Sequence, residues 1–65
     1  MKMAKFILYK DDAREFRWRF KASNGKIIAD SGEGYINKQD AVNGISFIRK
    51  YAAGADFEDL TIQRW

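Results

Sequence analysis

The sequence predicts an α+β fold with the element order β-β-β-α-β, in which an antiparallel sheet carries one helix packed on one face. Three observations predict it. Residues 15–31 hold two alternating runs joined by Asn24-Gly25, residues 38–52 place apolar residues at helical spacing, and residues 58–64 alternate again. Alternation puts apolar side chains on one face of a strand, and spacings of three and four put them on one face of a helix. We therefore expect a single domain over residues 1–65, with a last strand after the helix.

The central prediction is a hairpin of two strands at residues 15–22 and 26–31. Apolar residues alternate with charged ones in the first strand, which gives it one apolar face and one charged face. Asn24-Gly25 tolerates positive φ, so it predicts a tight type I′ turn, and that turn sets the register. The predicted cross-strand pairs are Trp18 with Ser31, Phe20 with Ala29 and Ala22 with Ile27 on the buried side, and Arg19 with Asp30 on the solvent side.

A first strand is predicted at residues 5–10, where the run KFILYK is apolar on both faces. Two registers against the second strand are open, depending on the loop over residues 11–15. One register is preferred because it stacks aromatic and branched side chains in cross-strand pairs. The preferred register pairs Leu8 with Trp18 and Phe6 with Phe20, whereas the alternative buries Ile7 and Tyr9.

The helix is predicted at residues 38–52. Asn37 can cap its first turn, and Asp40 can complete a capping box. Gly44 lies beside the apolar stripe and indicates a close approach of the helix to the sheet, since glycine costs about 1 kcal/mol in a helix interior. Gly54 ends the helix. The predicted stripe consists of Ala41, Val42, Ile45, Ile48, Tyr51 and Ala52, and Phe47 lies off it.

A chain of 65 residues has little material for a core, because a domain of this size buries only about 60% of the surface that its unfolded chain exposes. It contains no cysteine, histidine or proline, so disulfides are excluded and a zinc site is not expected. Oligomerisation is the remaining common way to stabilise so small a domain. The net charge of +3, from 12 basic and 9 acidic residues, permits an anionic partner without requiring one.

Three segments resemble the YegP-like family of small prokaryotic proteins of unknown function: FILYKD, EFRWRFKASNGKIIADSGEGY and the pattern K-x-x-A-x-N-G-I from Lys38 to Ile45. The resemblance covers residues 5–52. It implies a β-β-β-α-β unit, two of which, as tandem repeats or as separate chains, assemble into one continuous sheet with exchanged final strands. Since this chain has one unit, the resemblance implies a homodimer whose interface residues would be Phe57, Leu60, Ile62 and Trp65.

Catalysis is not expected, because the chain lacks the histidine and cysteine that supply most nucleophile and base pairs. No cofactor or metal is predicted. Residues 1–5 lack the apolar segment of a signal peptide, and no run of about 18 apolar residues occurs, so we expect a cytoplasmic protein without a membrane partner.

The predicted function is that of a small homodimeric binding or structural module. An alternative is weak binding of single-stranded nucleic acid, since such binders combine cations with aromatic platforms on an open sheet. A charged face is also what any one-sided sheet presents to water, and this interpretation is preferred. The candidate nucleic-acid residues on the outer face of the sheet are Tyr9, Arg17, Arg19 and Lys21.

Overall fold

The structure, a computed structural model, describes residues 3–62 of the chain. Its elements are β1 (Lys5–Lys10), β2 (Phe16–Lys21), β3 (Ile27–Asp30) and α1 (Lys38–Tyr51), followed by a short 3-10 helix at Ala52–Gly54. The strands form one antiparallel sheet in the order β1-β2-β3, and α1 packs on β1 and β2. The predicted α+β class and the order of three strands followed by a helix are confirmed.

β1 and β2 pair in the preferred register. Leu8 lies opposite Trp18, and Phe6 lies opposite Phe20. The rings of Phe6 and Phe20 are 4.7 Å apart between centroids, and Phe6 meets Trp18 edge to face at 5.6 Å. Both separations lie in the favourable range for aromatic pairs. The apolar side chains of the two strands therefore build one face of the sheet, the face that carries α1.

The β2–β3 hairpin has the predicted register over the part that lies farthest from its turn. Arg19 pairs with Asp30 and Phe20 with Ala29, and the backbone N–H of Ser31 donates to the carbonyl of Trp18 at 2.9 Å. These three pairs are confirmed.

The turn of this hairpin differs from the prediction. Gly25 has a φ of 90°, but Asn24 is not in the left-handed region, so the turn is not of type I′. The backbone N–H of Ala22 donates to the carbonyl of Lys26 at 2.7 Å, which closes a three-residue loop with glycine at its left-handed position. Lys21 then lies opposite Ile27, and a bulge restores the register at the next pair. The predicted pair of Ala22 with Ile27 is wrong for this reason.

After β3 the chain rejoins β2 through a bridge between Phe16 and Tyr35. Phe16 donates its N–H to the carbonyl of Tyr35 at 2.7 Å, and Tyr35 returns the bond at 2.8 Å. Gly34 precedes this bridge. A Cβ on Gly34 would lie 2.7 Å from the Cβ of Glu15 and against its carboxylate as well. Glycine is required at position 34 because the chain there passes close to Glu15, the residue before β2.

We expect Gly34→Ala to destabilise the fold by about 1 to 3 kcal/mol, because the new methyl group overlaps Glu15 and would disturb the Phe16–Tyr35 bridge. Urea denaturation followed by circular dichroism measures the loss. Gly54→Ala is the matched control, since a Cβ there meets nothing within 4 Å and should leave stability unchanged or slightly raised. Equal stability of the two variants would contradict the assignment of Gly34.

The ends of α1 differ in detail from the prediction. Asn37 occupies the N-cap position, but its side chain makes no capping hydrogen bond. The bond found there joins the backbone N–H of Asp40 to the carbonyl of Asn37 at 3.2 Å, so the predicted capping box is wrong. At the other end Gly54 is not in the left-handed conformation. α1 instead tightens into the 3-10 helix, which satisfies its last carbonyls without a glycine cap.

The apolar stripe of α1 is confirmed over its first part. Ala41 is fully buried and Ile48 is half-buried, but Tyr51 is 51% exposed and Ala52 is also exposed. Tyr51 stacks on Phe47 at 4.8 Å on the solvent side of the helix, and Ala52 already belongs to the 3-10 helix, whose period differs from that of α1. The predicted burial of these last two residues is therefore wrong.

Trp18 is the centre of the core. It is 4% exposed, and among the described residues only Ala41 is buried as deeply. A Cβ on Gly44 would lie 3.2 Å from the indole Nε1 of Trp18, so the predicted close approach of α1 to the sheet at Gly44 is confirmed. Within the described chain the indole N–H has no hydrogen-bond partner. A core with two buried side chains among the described residues is very small for one domain.

The predicted fourth strand at residues 58–64 is not formed in the part of it that the structure describes. Residues 55–62, which we call the C-terminal arm, make no ladder with β1, β2 or β3. A strand needs a neighbouring strand to satisfy its backbone groups, and the arm lies beside none. The rest of the predicted strand, including Trp65, lies outside the described residues.

Candidate functional site

An apolar groove lies between the sheet and the C-terminal end of α1. Its cavity volume is about 240 Å³. α1 does not reach β3 within the described chain, and Ile27 and Ile28 of β3 are 53% and 63% exposed. The groove and the free edge of β3 are consequently uncovered side by side. The groove is lined by Phe6, Trp18, Phe20, Ala29, Ile48, Arg49 and Ala52.

The C-terminal arm carries the predicted interface residues. Phe57 is 90% exposed, Leu60 is 83% exposed and Ile62 is 58% exposed, while Trp65 lies outside the described residues. The polar groups of the arm bond to one another: Asp59 accepts hydrogen bonds from the backbone N–H and the hydroxyl of Thr61 at 2.8 and 2.5 Å. These bonds lower the pKa of Asp59. The arm thus satisfies its polar groups locally and leaves its apolar side chains in water.

The dimensions of the chain exceed those of a compact domain of its length. The radius of gyration is 14.6 Å, compared with about 11 Å for a compact domain of this length. The accessible surface is 6021 Å² for a mass of 7.6 kDa, compared with about 4,300 Å² for a compact monomer. The single chain therefore exposes about 1,700 Å² more than a compact monomer of its mass.

The outer face of the sheet, which points away from α1, carries a stacked pair. The guanidinium carbon of Arg19 lies 4.4 Å from the centroid of the Tyr9 ring, a favourable cation–π geometry. Although Arg19 is opposite Asp30 in register, the two form no ion pair among the described residues. Asp30 instead accepts the backbone N–H of Gly32 at 2.9 Å. The predicted register, with Arg19 opposite Asp30, is therefore confirmed. The two side chains do not form an ion pair across the strands in residues 3–62.

Arg17 is held at the loop between β1 and β2. Its Nε donates to the carboxylate of Asp11 at 2.5 Å, and this hydrogen bond lowers the pKa of Asp11 and raises that of Arg17. Asp11 also accepts the backbone N–H groups of Ala13 at 2.9 Å and Glu15 at 3.0 Å. Of the candidate nucleic-acid residues, Arg17 is consequently the one whose charge is already neutralised.

A fourth basic residue, Lys5, joins the outer face, and sequence reasoning missed it. Lys5 lies directly opposite Lys21 in the β1–β2 ladder. Together with the hairpin loop at residues 22–25 and Met3, the two lysines line a concave site of about 500 Å³. The alternation of β1 places Lys5 on the face of Tyr9, so the register of β1 was the signal that could have identified it.

Two properties of the described residues bear on other classes of function. No helix in residues 3–62 is long and apolar enough to cross a membrane. In the same range no group of three or more acidic side chains is placed to hold a metal ion. The cytoplasmic location expected from the sequence stays a prediction.

Comparison with known proteins identifies relatives along most of the chain. The model of the domain of unknown function DUF1508 matches residues 11–59. UPF0339 protein Atu0232 of Agrobacterium fabrum is 51% identical over 59 residues, which cover 91% of this chain and 94% of that protein. A UPF0339 protein of Stutzerimonas stutzeri is 47% identical over 47 residues, which cover 72% of this chain and 41% of that longer protein.

Two solved structures have the same fold. The NMR structure of a protein from Haloferax volcanii has a TM-score of 0.81 at 44% identity and covers 91% of this chain and 98% of its own. The NMR structure of protein ATU0232 from Agrobacterium tumefaciens has a TM-score of 0.73 at 47% identity, with coverages of 91% and 94%. The descriptions of the matched family and relatives name no enzymatic activity. The resemblance inferred from the sequence motifs is confirmed. The chain belongs to the DUF1508 family of small domains of unknown function, whose curated relatives are UPF0339 proteins.

Proposed function

We propose that this chain acts as a homodimeric binding or structural module, in which each copy covers the apolar groove of the other with its C-terminal arm. The observation that carries this proposal is that one chain holds both an uncovered groove and an uncovered apolar arm. Apolar surface in water is unfavourable by about 25 cal/mol per Å². Seating the arm of one copy on the groove of the other removes both surfaces from water at once.

β3 is the strand edge that would receive the arm. Its side chain Ala29 lines the groove, and its outer edge is unpaired in the three-stranded sheet. In an extended arm Leu60 and Ile62 point to the same side. An arm added beside β3 would therefore place both side chains toward the groove while its backbone completes the hydrogen bonds of the edge.

Exchange between copies agrees with the path of the arm. Every described residue from Ala52 to Ile62 is exposed, so the arm runs away from its own groove although Ala52 is part of the groove wall. Extended chain of this length spans at most about 26 to 29 Å. That reach would let the arm cross to a second copy. An arm that projects from the rest of the chain also accounts for the large radius of gyration.

The longer relative from Stutzerimonas stutzeri supports a two-unit assembly. The segment matched by this chain fills 41% of it, which leaves room for a second unit of similar size. In a tandem protein the two units of the assembly would belong to one chain, whereas here they would belong to two copies. Closed symmetric dimers are the commonest form of such association between copies.

The module has no catalytic role in this proposal. The chain has no histidine or cysteine, and the groove is lined by apolar side chains with a single arginine at its rim. Convergent polar groups of the kind that catalysis requires are not part of that lining.

The test is the mass of the particle and the origin of the contacts in it. Sedimentation equilibrium at several protein concentrations should give the mass of two chains. NMR of a mixture of isotope-labelled and unlabelled copies, filtered for contacts between copies, should then detect the methyl groups of Leu60 and Ile62 against the ring of Trp18. A mass of one chain at all concentrations would contradict the proposal, and so would a dimer whose arm contacts arise within one copy.

A further inference from the structure

We infer that the outer face of the sheet binds single-stranded nucleic acid, with a backbone phosphate held between Lys5 and Lys21 and a base stacked on the Tyr9–Arg19 pair. This face lies on the side of the sheet opposite to the groove, so the binding goes beyond the proposed dimer and does not depend on it.

The first observation is the juxtaposition of two like charges. Lys5 and Lys21 are directly opposite each other on neighbouring strands, and like charges in such a pair destabilise a sheet. The structure records no ion pair of either lysine with any carboxylate in residues 3–62. A bound phosphate would neutralise both ammonium groups and convert an unfavourable pair into two charge-assisted contacts.

The second observation is the shape and chemistry around the two lysines. They line a concavity of about 500 Å³ together with the hairpin loop at residues 22–25. The loop contributes the hydroxyl of Ser23 to this lining, and the side-chain oxygen of Asn24 is already used by the backbone N–H of Lys26 at 3.0 Å. No carboxylate belongs to the lining. The site is therefore electropositive without an internal anion.

The third observation is the stacked pair beside this site. The Ile7–Arg19 row of the ladder lies two residues from the Lys5–Lys21 row, or about 7 Å along the strands. The contact with Tyr9 holds the guanidinium of Arg19 at 4.4 Å from the ring, and Arg19 is exposed. A planar guanidinium held in this way is a platform for an unstacked base. The phosphate position at Lys5 and Lys21 and the base position at Arg19 therefore lie next to each other on the outer face of the sheet.

The carboxylates of Asp11, Glu15 and Asp30 lie near this face, and in residues 3–62 only Asp11 forms an ion pair, with Arg17. Asp30 accepts the neutral N–H of Gly32 and keeps its negative charge opposite Arg19. The anion site is therefore assigned to Lys5 and Lys21, whose lining contains no carboxylate. Arg17 is left out of the inferred binding set because it is paired with Asp11, and the inferred set is Lys5, Tyr9, Arg19 and Lys21.

A single strand fits this face better than a duplex or a membrane surface. The bases of a duplex are stacked on one another and cannot stack on Arg19. A membrane surface would bury Met3 and Ile27, which are 83% and 53% exposed beside the two lysines, but it presents no ring that stacks on Arg19. Anionic vesicles are therefore the competing ligand. The ligand is therefore an extended polyanion whose bases are accessible.

The test uses the full-length protein and a fluorescently labelled oligothymidylate, with binding followed by anisotropy at several salt concentrations. The double variant Lys5→Gln/Lys21→Gln should weaken binding about tenfold or more and reduce the slope of log affinity against log salt by about 0.7, the contribution of one phosphate of a single strand. Tyr9→Ala should weaken binding about fivefold or more with little change in that slope, since stacking carries no counterion. The control is the double variant Lys38→Gln/Lys50→Gln, which removes an equal charge from exposed positions of α1 and should change affinity less than twofold.

A second measurement does not depend on the oligonucleotide. Without ligand, the double lysine variant should melt at the same or a higher temperature than the parent protein, because the like-charge pair is gone. Three results would each overturn the inference. The control variant Lys38→Gln/Lys50→Gln weakens binding as much as the double lysine variant, the protein binds duplex DNA or anionic phosphatidylserine vesicles more tightly than the single strand, or it does not bind the single strand at low salt. Because the melting measurement confirms folding of the variant, loss of binding reports on the site itself.

Discussion

Removal of residues 60–65 is expected to dissociate the proposed dimer and to destabilise each chain. Burying Leu60 and Ile62 in the groove of a partner is worth about 1.5 to 3 kcal/mol for each side chain. A chain of this length has a total stability of only about 3 to 10 kcal/mol. Since both side chains are exposed within one copy, all of that stabilisation would come from the partner. Sedimentation equilibrium and thermal melting by circular dichroism measure the two losses.

Single substitutions in the arm separate this effect from truncation as such. Leu60→Asp should weaken the dimer and lower the melting temperature, because a carboxylate would enter an apolar groove. Thr61→Asp is the matched control: it introduces the same side chain at the next position, which points to the opposite side of an extended arm. A truncated chain that stays folded at the parent melting temperature, or equal effects of the two substitutions, would show that the arm does not occupy the groove.

Most of the sheet could be predicted because its register has a physical cause. A shift of β1 by one residue would turn Phe6 and Leu8 to the outer face, and aromatic and branched cross-strand pairs favoured the register that the structure has, with Leu8 opposite Trp18. The pair Phe20–Ala29 followed from the alternation of β2 and the position of the turn. The turn could not be predicted with the same certainty. Asn24-Gly25 fits a two-residue loop or a three-residue loop with a bulge. In the structure the three-residue loop shifts the pair Lys21–Ile27 by one residue, and the bulge restores the predicted register at the pair Phe20–Ala29.

The outer face was predictable as a surface but not in its contacts. The strand period places Tyr9, Arg17, Arg19 and Lys21 together, and the structure does so. Long side chains, however, also reach diagonal neighbours and loops. Arg19 accordingly stacks on Tyr9 rather than pairing with Asp30, and Arg17 reaches Asp11. Such choices depend on side-chain conformation, which alternation in a sequence does not specify.

The C-terminal arm marks a different limit. Its alternating residues have the pattern of a strand, and the described ones pair with no strand of the same copy. A sequence pattern describes the preference of a segment, whereas pairing requires a free edge within reach. In residues 3–62 the outer edge of β3 and the arm are both unpaired, so the preference of residues 58–62 for a strand did not by itself produce one.

Trp18→Ala is expected to cost about 3 to 5 kcal/mol, which is comparable with the whole stability of the domain. Trp18 is 4% exposed, meets Phe6 edge to face and lies against Gly44 of α1. It also forms part of the groove wall. Its loss would therefore open a cavity between sheet and helix and would remove part of the surface on which a partner's arm is proposed to pack.

Phe47→Ala is the matched control for this substitution, because it also removes a large aromatic ring from the chain. Phe47 is 64% exposed and contacts Tyr51 on the solvent side of α1, so its loss should cost no more than about 1 kcal/mol. Urea denaturation followed by circular dichroism compares the two variants, and Trp18→Phe should recover part of the stability since it refills most of the cavity. If Trp18→Ala kept its fold with a loss as small as that of Phe47→Ala, the core would have to be centred elsewhere. The groove would then lack the rigid wall that an arm from a second copy requires, and the effect of truncating the arm should shrink with it.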